Sequence, residues 1–414
     1  MGLDLEALYR EALRRLSAEE LTARALAGRG LGGGVRLLGL GKAACGMARG
    51  AATALGEVRG LVASNLASPL PKDVRFLQGS HPVPDERSER AGRALLAEAG
   101  SLAPDETAIF LVSGGGSAIA AAPSSGLSLE EKIGATRALL LGGTSIEETN
   151  AVRKHLSAIK GGQLAAAARG SRRIALVLCD VTSGDLASVA SGPCTGDPTT
   201  FADCLRILER RQVSLPLRAR EHLEAGARQQ LAETPKPDDP RLASVEQVLL
   251  AAPFDLARVA QEISLESGEP CAIEERAFVG RVEEVAEHIV RRVREASGPG
   301  LFAFAGEPTV RVPPDSGSGG RMQHLALLLA RSLAGADFEA LCAGSDGRDG
   351  DTPHAGARVD GRTAGRAGAQ LDLPIARFDS ATTCAALGLA LPAFDSGTNL
   401  CDLVLVRKSS AGRL

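Results

Sequence analysis

The sequence predicts an α/β fold in two domains, the first built on a mostly parallel sheet. Short β-branched or Leu-rich runs alternate with helical stretches along all 414 residues. That length exceeds the roughly 250–300 residues at which a single core stops growing. In ETPKPDD, Glu233 to Asp239, two prolines and acidic residues break the helical pattern. The boundary is placed there, separating residues 1–238 from residues 239–414.

The elements follow in order. MGLDLEALYREALRRLSAEEL at the start reads as an amphipathic helix of mixed charge. Strands are expected at Val35–Leu40, Gly60–Ser64, Ala108–Val112 and Ile174–Cys179. Helices are expected at Ser88–Ala99, Leu129–Leu141 and Asn150–Ala168. The second domain starts with the strand Val245–Ala251 and the helices Phe254–Glu266 and Glu283–Glu295. Strands at Leu301–Ala305 and Glu339–Cys342 come next, and Leu403–Val406 reads as an edge or closing strand.

Composition excludes some functions. With 47 Lys+Arg against 50 Asp+Glu, the net charge of -3 supplies no cationic excess for nucleic acid. A single Tyr (Tyr9) and no Trp leave few rings for base stacking. No apolar run approaches the ~18 residues that span a bilayer, and the first residues lack a secretory signal pattern. The eight cysteines are scattered without a CxxC pair, as buried thiols in a reducing cytosol would be. A cytoplasmic protein is expected, either monomer or homodimer.

Four glycine-rich loops stand where strands end, the place where open α/β sheets bind ligands. GLGKAACGMA, Gly39 to Ala48, joins glycines to Lys42 ahead of a helix, which suits an anion. It is not a Walker A loop, because Ala43 follows the lysine; a tight turn with an exposed Lys is the plain alternative. FLVSGGGSAIAAAP, Phe110 to Pro123, sets Gly114, Gly115 and Gly116 between the hydroxyls of Ser113 and Ser117. Three glycines in a row cost conformational entropy and point to a backbone that passes close to something.

SGSGGR places Gly319, Gly320 and Arg321 at the start of an apolar helix. A cation opposes the helix dipole there, unless an anion sits between it and the free N–H groups. Upstream, Glu307 opens the same segment. In LCAGSDGRDGDTPHAGA, the crowding of Asp346, Asp349 and Asp351 calls for a cation or full solvation, and Mg²⁺ is the sharper reading.

Two further segments are polar. Arg153, Lys154 and Lys160 fall in NAVRKHLSAIKGGQLA, where Asn150, Arg153 and Lys154 share a helical face and a solvated basic surface is the usual explanation. CDVTSGDLASVASGP ends a buried strand in Asp180, with Asp185 beyond, as metal ligand, general base or turn residue. Anion cradles, a basic helix and carboxylate clusters together suit phosphoryl transfer, which rests on positioning and charge neutralisation.

Read in order, these segments resemble the glycerate 2-kinase family, whose carboxyl-terminal half is the MOFRL domain. SHPVPDERSERAG, GEPTVRV and SGTNLCDL add to the match. The resemblance implies a Rossmann-like amino-terminal domain and a smaller MOFRL-type α/β domain. It implies transfer of the γ-phosphoryl group of ATP, with Mg²⁺, to the 2-hydroxyl of D-glycerate. The functional Lys and Arg of the family fall on Lys42 and Arg321. Ser113 to Ser117, Gly319 and Gly320 would cradle phosphate or carboxylate, and Arg153, Lys154 and Lys160 would bind either anion. Asp180 or Asp185 would accept the hydroxyl proton, Asp346 and Asp349 would hold Mg²⁺, and Glu307 would orient Lys42 or Arg321.

The chain departs from the family at several motifs. GGRMQH stands for the usual GGRNQE, CDV for SDV, DGDTPHAG for DGPTDAAG and FDSGTN for GPTGTN, while Pro253 and Phe254 replace a Gly-Asn pair. Three alternatives therefore stand beside the glycerate kinase. One is a kinase for another small hydroxy acid, one a hydroxypyruvate reductase, and one a ligand-binding homologue without catalysis. The reductase is disfavoured because Ala44 replaces the third glycine of GxGxxG.

Overall fold

Apolar runs in the first half of the chain become strands that pair in parallel, and the loops between them carry the glycines. The computed structural model describes residues 3–31, 34–170, 172–368 and 371–409. The chain divides into two compact units, one of Ala18–Cys179 and Asp185–Leu250, the other of Met1–Ser17, Asp180–Gly184 and Ala251–Leu414.

The unit beginning at Ala18 contains β1 (Val35–Leu40), β2 (Arg59–Ser64), β3 (Asp73–Gln78), β4 (Thr107–Ser113), β5 (Arg172–Leu178) and β6 (Val245–Ala251). They lie in the order β3-β2-β1-β4-β5-β6. β1 is parallel to β2 and β4, β2 to β3, and β4 to β5. This is the doubly wound order, with its switch point between β1 and β4. β4 is buried along its whole length, as a central strand covered on both faces must be, whereas β3 keeps exposed residues at the edge. Helices begin on hydrogen-bonded caps: Asp85 for Glu86–Gly100, Ser128 for Leu129–Leu141 and Ser145 for Ile146–His155.

Two expectations are corrected here. Val245–Ala251 does not open the second domain; it forms the outer strand beside β5. Its mostly exposed and half-buried residues suit an edge, and Gln247 Nε2 ties it to the Cys194 carbonyl at 2.7 Å. The stretch Asn150–Ala168 is not one helix either, but Ile146–His155 followed by Gln163–Ala167. Gly161 and Gly162 adopt φ of +58° and +80°, and their N–H groups donate to the carbonyls of Ser191 and Gly192. The turn that results carries Lys160.

In the other unit, β7 (Cys271–Ile273), β8 (Phe278–Arg281), β9 (Gly300–Thr309), β10 (Phe338–Gly344), β11 (His354–Asp360), β12 (Ala390–Pro392) and β13 (Asp402–Lys408) form a mixed sheet. Its order is β12-β11-β10-β13-β9-β7, with β8 also on β9. The final strand is not at an edge: β13 runs antiparallel to both β10 and β9 and is almost entirely buried. The helices Val282–Glu295 and Arg321–Ser332 pack on this sheet through a shared apolar core.

The first helix, Leu5–Arg15, belongs to this unit as well, so the chain does not divide simply at residue 238. It buries Leu5, Leu8, Tyr9, Ala12 and Leu13, and the Tyr9 hydroxyl donates to the Gly344 carbonyl at 2.6 Å. Arg15 pairs with Glu266 at 2.6 Å.

Candidate active site

The loops after β1 and β4 meet at the switch point. Lys42 N donates to the Gly114 carbonyl at 2.9 Å, and Ala43 N donates to Ser113 Oγ at 3.1 Å. Glycine is required for this closure. At Gly41, with φ +125°, a Cβ would lie 2.3 Å from Ser113 Oγ. Gly115, at φ +77°, runs between the Lys42 side chain and His81, whose atoms would lie 3.2 and 3.1 Å from a Cβ there. The helix Ala44–Leu55 starts on this loop without a side-chain cap, leaving N–H groups for an anion. Lys42 makes no ion pair among the described residues.

His81 was not among the candidates, because a lone histidine has no spacing signal even within SHPVPDERSERAG. Burial, then the Lys42 charge, lower its basicity, so the imidazole beside Lys42 is neutral at neutral pH.

A hydrogen-bonded chain continues from Ser117. Lys160 Nζ donates to Ser117 Oγ at 2.6 Å, Ser117 Oγ lies 2.9 Å from Ser191 Oγ, and Ser191 Oγ donates to Asn150 Oδ1 at 3.0 Å. Arg153 reaches the same Asn150 oxygen at 3.5 Å. Ala190 and Ser191 hold left-handed φ of +51° and +60°, a strained turn that aims the Ser191 hydroxyl into this chain. The basic run is therefore not a solvated face: Lys154 and Lys160 are buried. Lys154 pairs with the buried Asp197 at 3.5 Å. Asp197 and Ser191 escaped the sequence reading, since neither stands in a pattern that distinguishes it from a turn residue.

In the other unit, Arg321 is gripped by carboxylates. Nε donates to Asp402 Oδ2 at 2.6 Å, Nη2 to Asp402 Oδ1 at 3.2 Å and Nη1 to Glu307 Oε1 at 2.8 Å. Burial opposes the guanidinium charge, but Asp402 and then Glu307 outweigh it and strengthen the cation. Asp402 is itself pushed up to about 7 by burial, against the pull of Arg321. Glu307 thus holds one nitrogen of the guanidinium, and Asp402 the other two. Asp402 lies in SGTNLCDL, and a cation at a helix start was the signal that an acidic partner must exist.

The start of the helix Arg321–Ser332 also holds an anion, but one supplied by the protein. Asp349 Oδ1 and Oδ2 accept the N–H groups of Met322 and Gln323 at 3.0 and 2.8 Å. Gly319 and Gly320 make room for packing: a Cβ would lie 2.4 Å from Ser380 Oγ and 2.1 Å from Asp349 Cγ respectively. These glycines serve the protein's own cap in the place where a bound anion was expected. Burial raises the Asp349 carboxyl to about 6 although both N–H groups favour its charge.

Asp346 is half-buried and accepts the Arg348 N–H at 3.0 Å. With Asp349 committed to the helix cap, the pair does not fit a resident two-carboxylate Mg²⁺ site, and no group of three or more His, Cys, Asp and Glu ligands forms among the described residues. The Asp180 carbonyl accepts Cys401 Sγ at 3.0 Å. Asp185 is exposed, and its carboxylate accepts Ala187 N at 3.0 Å and Ser188 Oγ at 2.6 Å, closing a local turn.

Taken unit by unit, the fold has a glycine-lined anion cradle with a free lysine, and a guanidinium oriented by two carboxylates. That equipment defines an α/β phosphotransferase. Residues 4–224 match the domain of unknown function DUF4147, and residues 300–402 match the MOFRL family. Glycerate 2-kinase of Pyrococcus horikoshii is 34% identical over 403 residues, covering 92% of this chain and 89% of the relative. D-glycerate 2-kinase of Thermotoga maritima is 36% identical over 387 residues, 90% of each chain. The crystal structure of glycerate kinase from Thermotoga maritima superposes with a TM-score of 0.87 at 32% identity, covering 97% of this chain and 98% of that one. The chain belongs to the glycerate 2-kinase family. One relative, from Agrobacterium vitis and 35% identical over 382 residues (89% of this chain, 85% of the relative), carries the provisional name of a hydroxypyruvate reductase. Among the described residues no helix is long and apolar enough to cross a membrane.

Proposed function

We propose that this protein transfers the γ-phosphoryl group of ATP to the 2-hydroxyl of D-glycerate, releasing 2-phosphoglycerate and ADP. The observation that carries the reading is Lys42, an amine without an ion-pair partner on a loop closed by Ser113 and Gly114 at the switch point. Lys42 neutralises the migrating phosphoryl group, and the N–H groups that begin the helix Ala44–Leu55 bind its oxygens. Ser117, Arg153 and Lys160 hold an oxyanion of the substrates. Arg321, fixed by Asp402 and Glu307, supplies a second, oriented cation.

Asp180 or Asp185 accepts the hydroxyl proton in this reading, the Asp185 carboxylate also closing its own turn. Mg²⁺ belongs to this reading as an ion carried by nucleotide phosphates, Asp349 serving the helix cap. The eight cysteines are buried, which suits a reducing cytoplasm.

Purified protein incubated with D-glycerate, ATP and Mg²⁺ should yield 2-phosphoglycerate by phosphorus NMR. No turnover, or phosphate on C3, would overturn the proposal. The name of the Agrobacterium vitis relative favours one alternative, reduction of hydroxypyruvate. Ala44 at the third glycine position of a dinucleotide loop speaks against it, and NADH absorbance with hydroxypyruvate should stay constant.

A further inference from the structure

Lys132 stands in the helix Leu129–Leu141, which packs on Ile146–His155 through Ala135, Leu139, Ala151 and Val152. It is 5% exposed, and its amine has no hydrogen-bond partner among the described residues. A buried, unpartnered ammonium is costly, and native structures seldom keep one without a use.

Its charged neighbours are also cations. Arg153 projects from Ile146–His155, and Lys160, 1% exposed, follows on the turn beyond. Lys160 Nζ donates only to neutral acceptors, namely Ser117 Oγ at 2.6 Å, the Ser117 carbonyl at 3.3 Å and the Ala190 carbonyl at 3.2 Å. Arg153 finds the neutral Asn150 Oδ1 at 3.5 Å. The nearby carboxylates are committed elsewhere. Asp197 serves Lys154, Thr199 and Thr234; Glu148 serves Arg210 and Arg211; and Glu131 faces Arg218, from the helix Leu217–Ala227, at 3.8 Å.

We propose that Lys132, with Arg153 and Lys160, forms an oxyanion subsite joined to the glycine loop through Ser117, which takes a carboxylate or phosphate group of a substrate. Mutual repulsion supports this. Burial, then the Arg153 charge, lowers Lys132 to about 7, and burial, then Arg153 and Lys132, lowers Lys160 well below its ordinary value. An arriving anion relieves all three. Carboxylate and phosphate share this chemistry, and which of them arrives rests on the kinase reading; the subsite itself does not.

The test is Lys132→Met in the full-length protein. Methionine keeps the apolar stem and removes only the amine, so the ligand-free variant should melt at a higher temperature than wild type. Inorganic phosphate should raise the wild-type melting temperature and not that of the variant, whether or not glycerate is turned over. By calorimetry, a tenfold or larger loss of affinity for D-glycerate assigns the subsite to the carboxylate. The same loss for ADP assigns it to a nucleotide phosphate. Lys132→Gln provides the same comparison should the methionine variant not fold. Unchanged affinity for all three probes in a folded variant overturns the proposal.

Discussion

Arg321 meets Asp402 through two parallel hydrogen bonds, Nε to Oδ2 at 2.6 Å and Nη2 to Oδ1 at 3.2 Å. The acid is buried at the head of a central strand, so it sets where the guanidinium points. Lysine cannot reproduce a planar two-point contact. Arg321→Lys should lower kcat by ~10²–10³-fold. Asp402→Ala should cost about 2 kcal/mol in urea unfolding, because it removes two hydrogen bonds from a partly buried charge that keeps Glu307 alone.

Lys42 is expected to behave in the opposite way with respect to stability. Its amine has no ion-pair partner to lose, so Lys42→Met should move the melting temperature by less than about 2 °C. Turnover should still fall by ~10²–10³-fold. A large drop in melting temperature with near-normal kcat would assign Lys42 a structural role.

Gly41 tests the junction of the two loops. Gly41→Ala imposes φ +125° on a residue with a Cβ that would lie 2.3 Å from Ser113 Oγ and 2.5 Å from the Ser113 carbonyl oxygen. A loss of more than about 2 kcal/mol is expected on chemical denaturation. Adding Ser113→Gly should not restore it, since the carbonyl remains.

His324 gives a pH signature. It is buried and stacks on Phe378 at 4.6 Å, and its Nδ1 has no partner among the described residues. Burial lowers it from 6.5 to about 4. Between those values the unfolded chain binds more protons, so this contribution is complete above pH ~6.5 and is lost as pH falls toward 4. The full span is about 3 kcal/mol. Asp349 and Asp402, raised by burial, act in the opposite sense, so the readout is the difference between wild type and His324→Gln. Relative to the variant, wild type should lose stability as pH falls from about 6.5 toward 4; a pH-independent difference would rule the effect out.

The helix cap separates structure from metal binding. Asp349→Ala removes the acceptor of two N–H groups and should cost about 1–2 kcal/mol. The Mg²⁺ concentration giving half-maximal rate should not change. A shift in that concentration without loss of stability would return Asp349 to the metal.

Much of the fold was legible because its signals are local. The apolar runs at Val35–Leu40 and Val245–Ala251, and the helices Leu129–Leu141 and Phe254–Glu266, keep the bounds read from sequence. Strand neighbours were not legible. Val245–Ala251 reads the same whether it ends one sheet or starts another, and Leu403–Val406 reads the same at an edge or in the middle.

By itself the sequence determined that glycines, hydroxyls and Lys42 gather at strand ends, since turn chemistry and periodicity reside in adjacent residues. Tertiary structure alone decided which charges are spent on the protein and which remain for a ligand. Asp349 was committed to a helix start, Asp402 to Arg321 and Asp197 to Lys154, while Lys42 and Lys132 were left without ion-pair partners among the described residues. The reason is that burial and pairing depend on residues far apart in the chain, which spacing along it does not reveal.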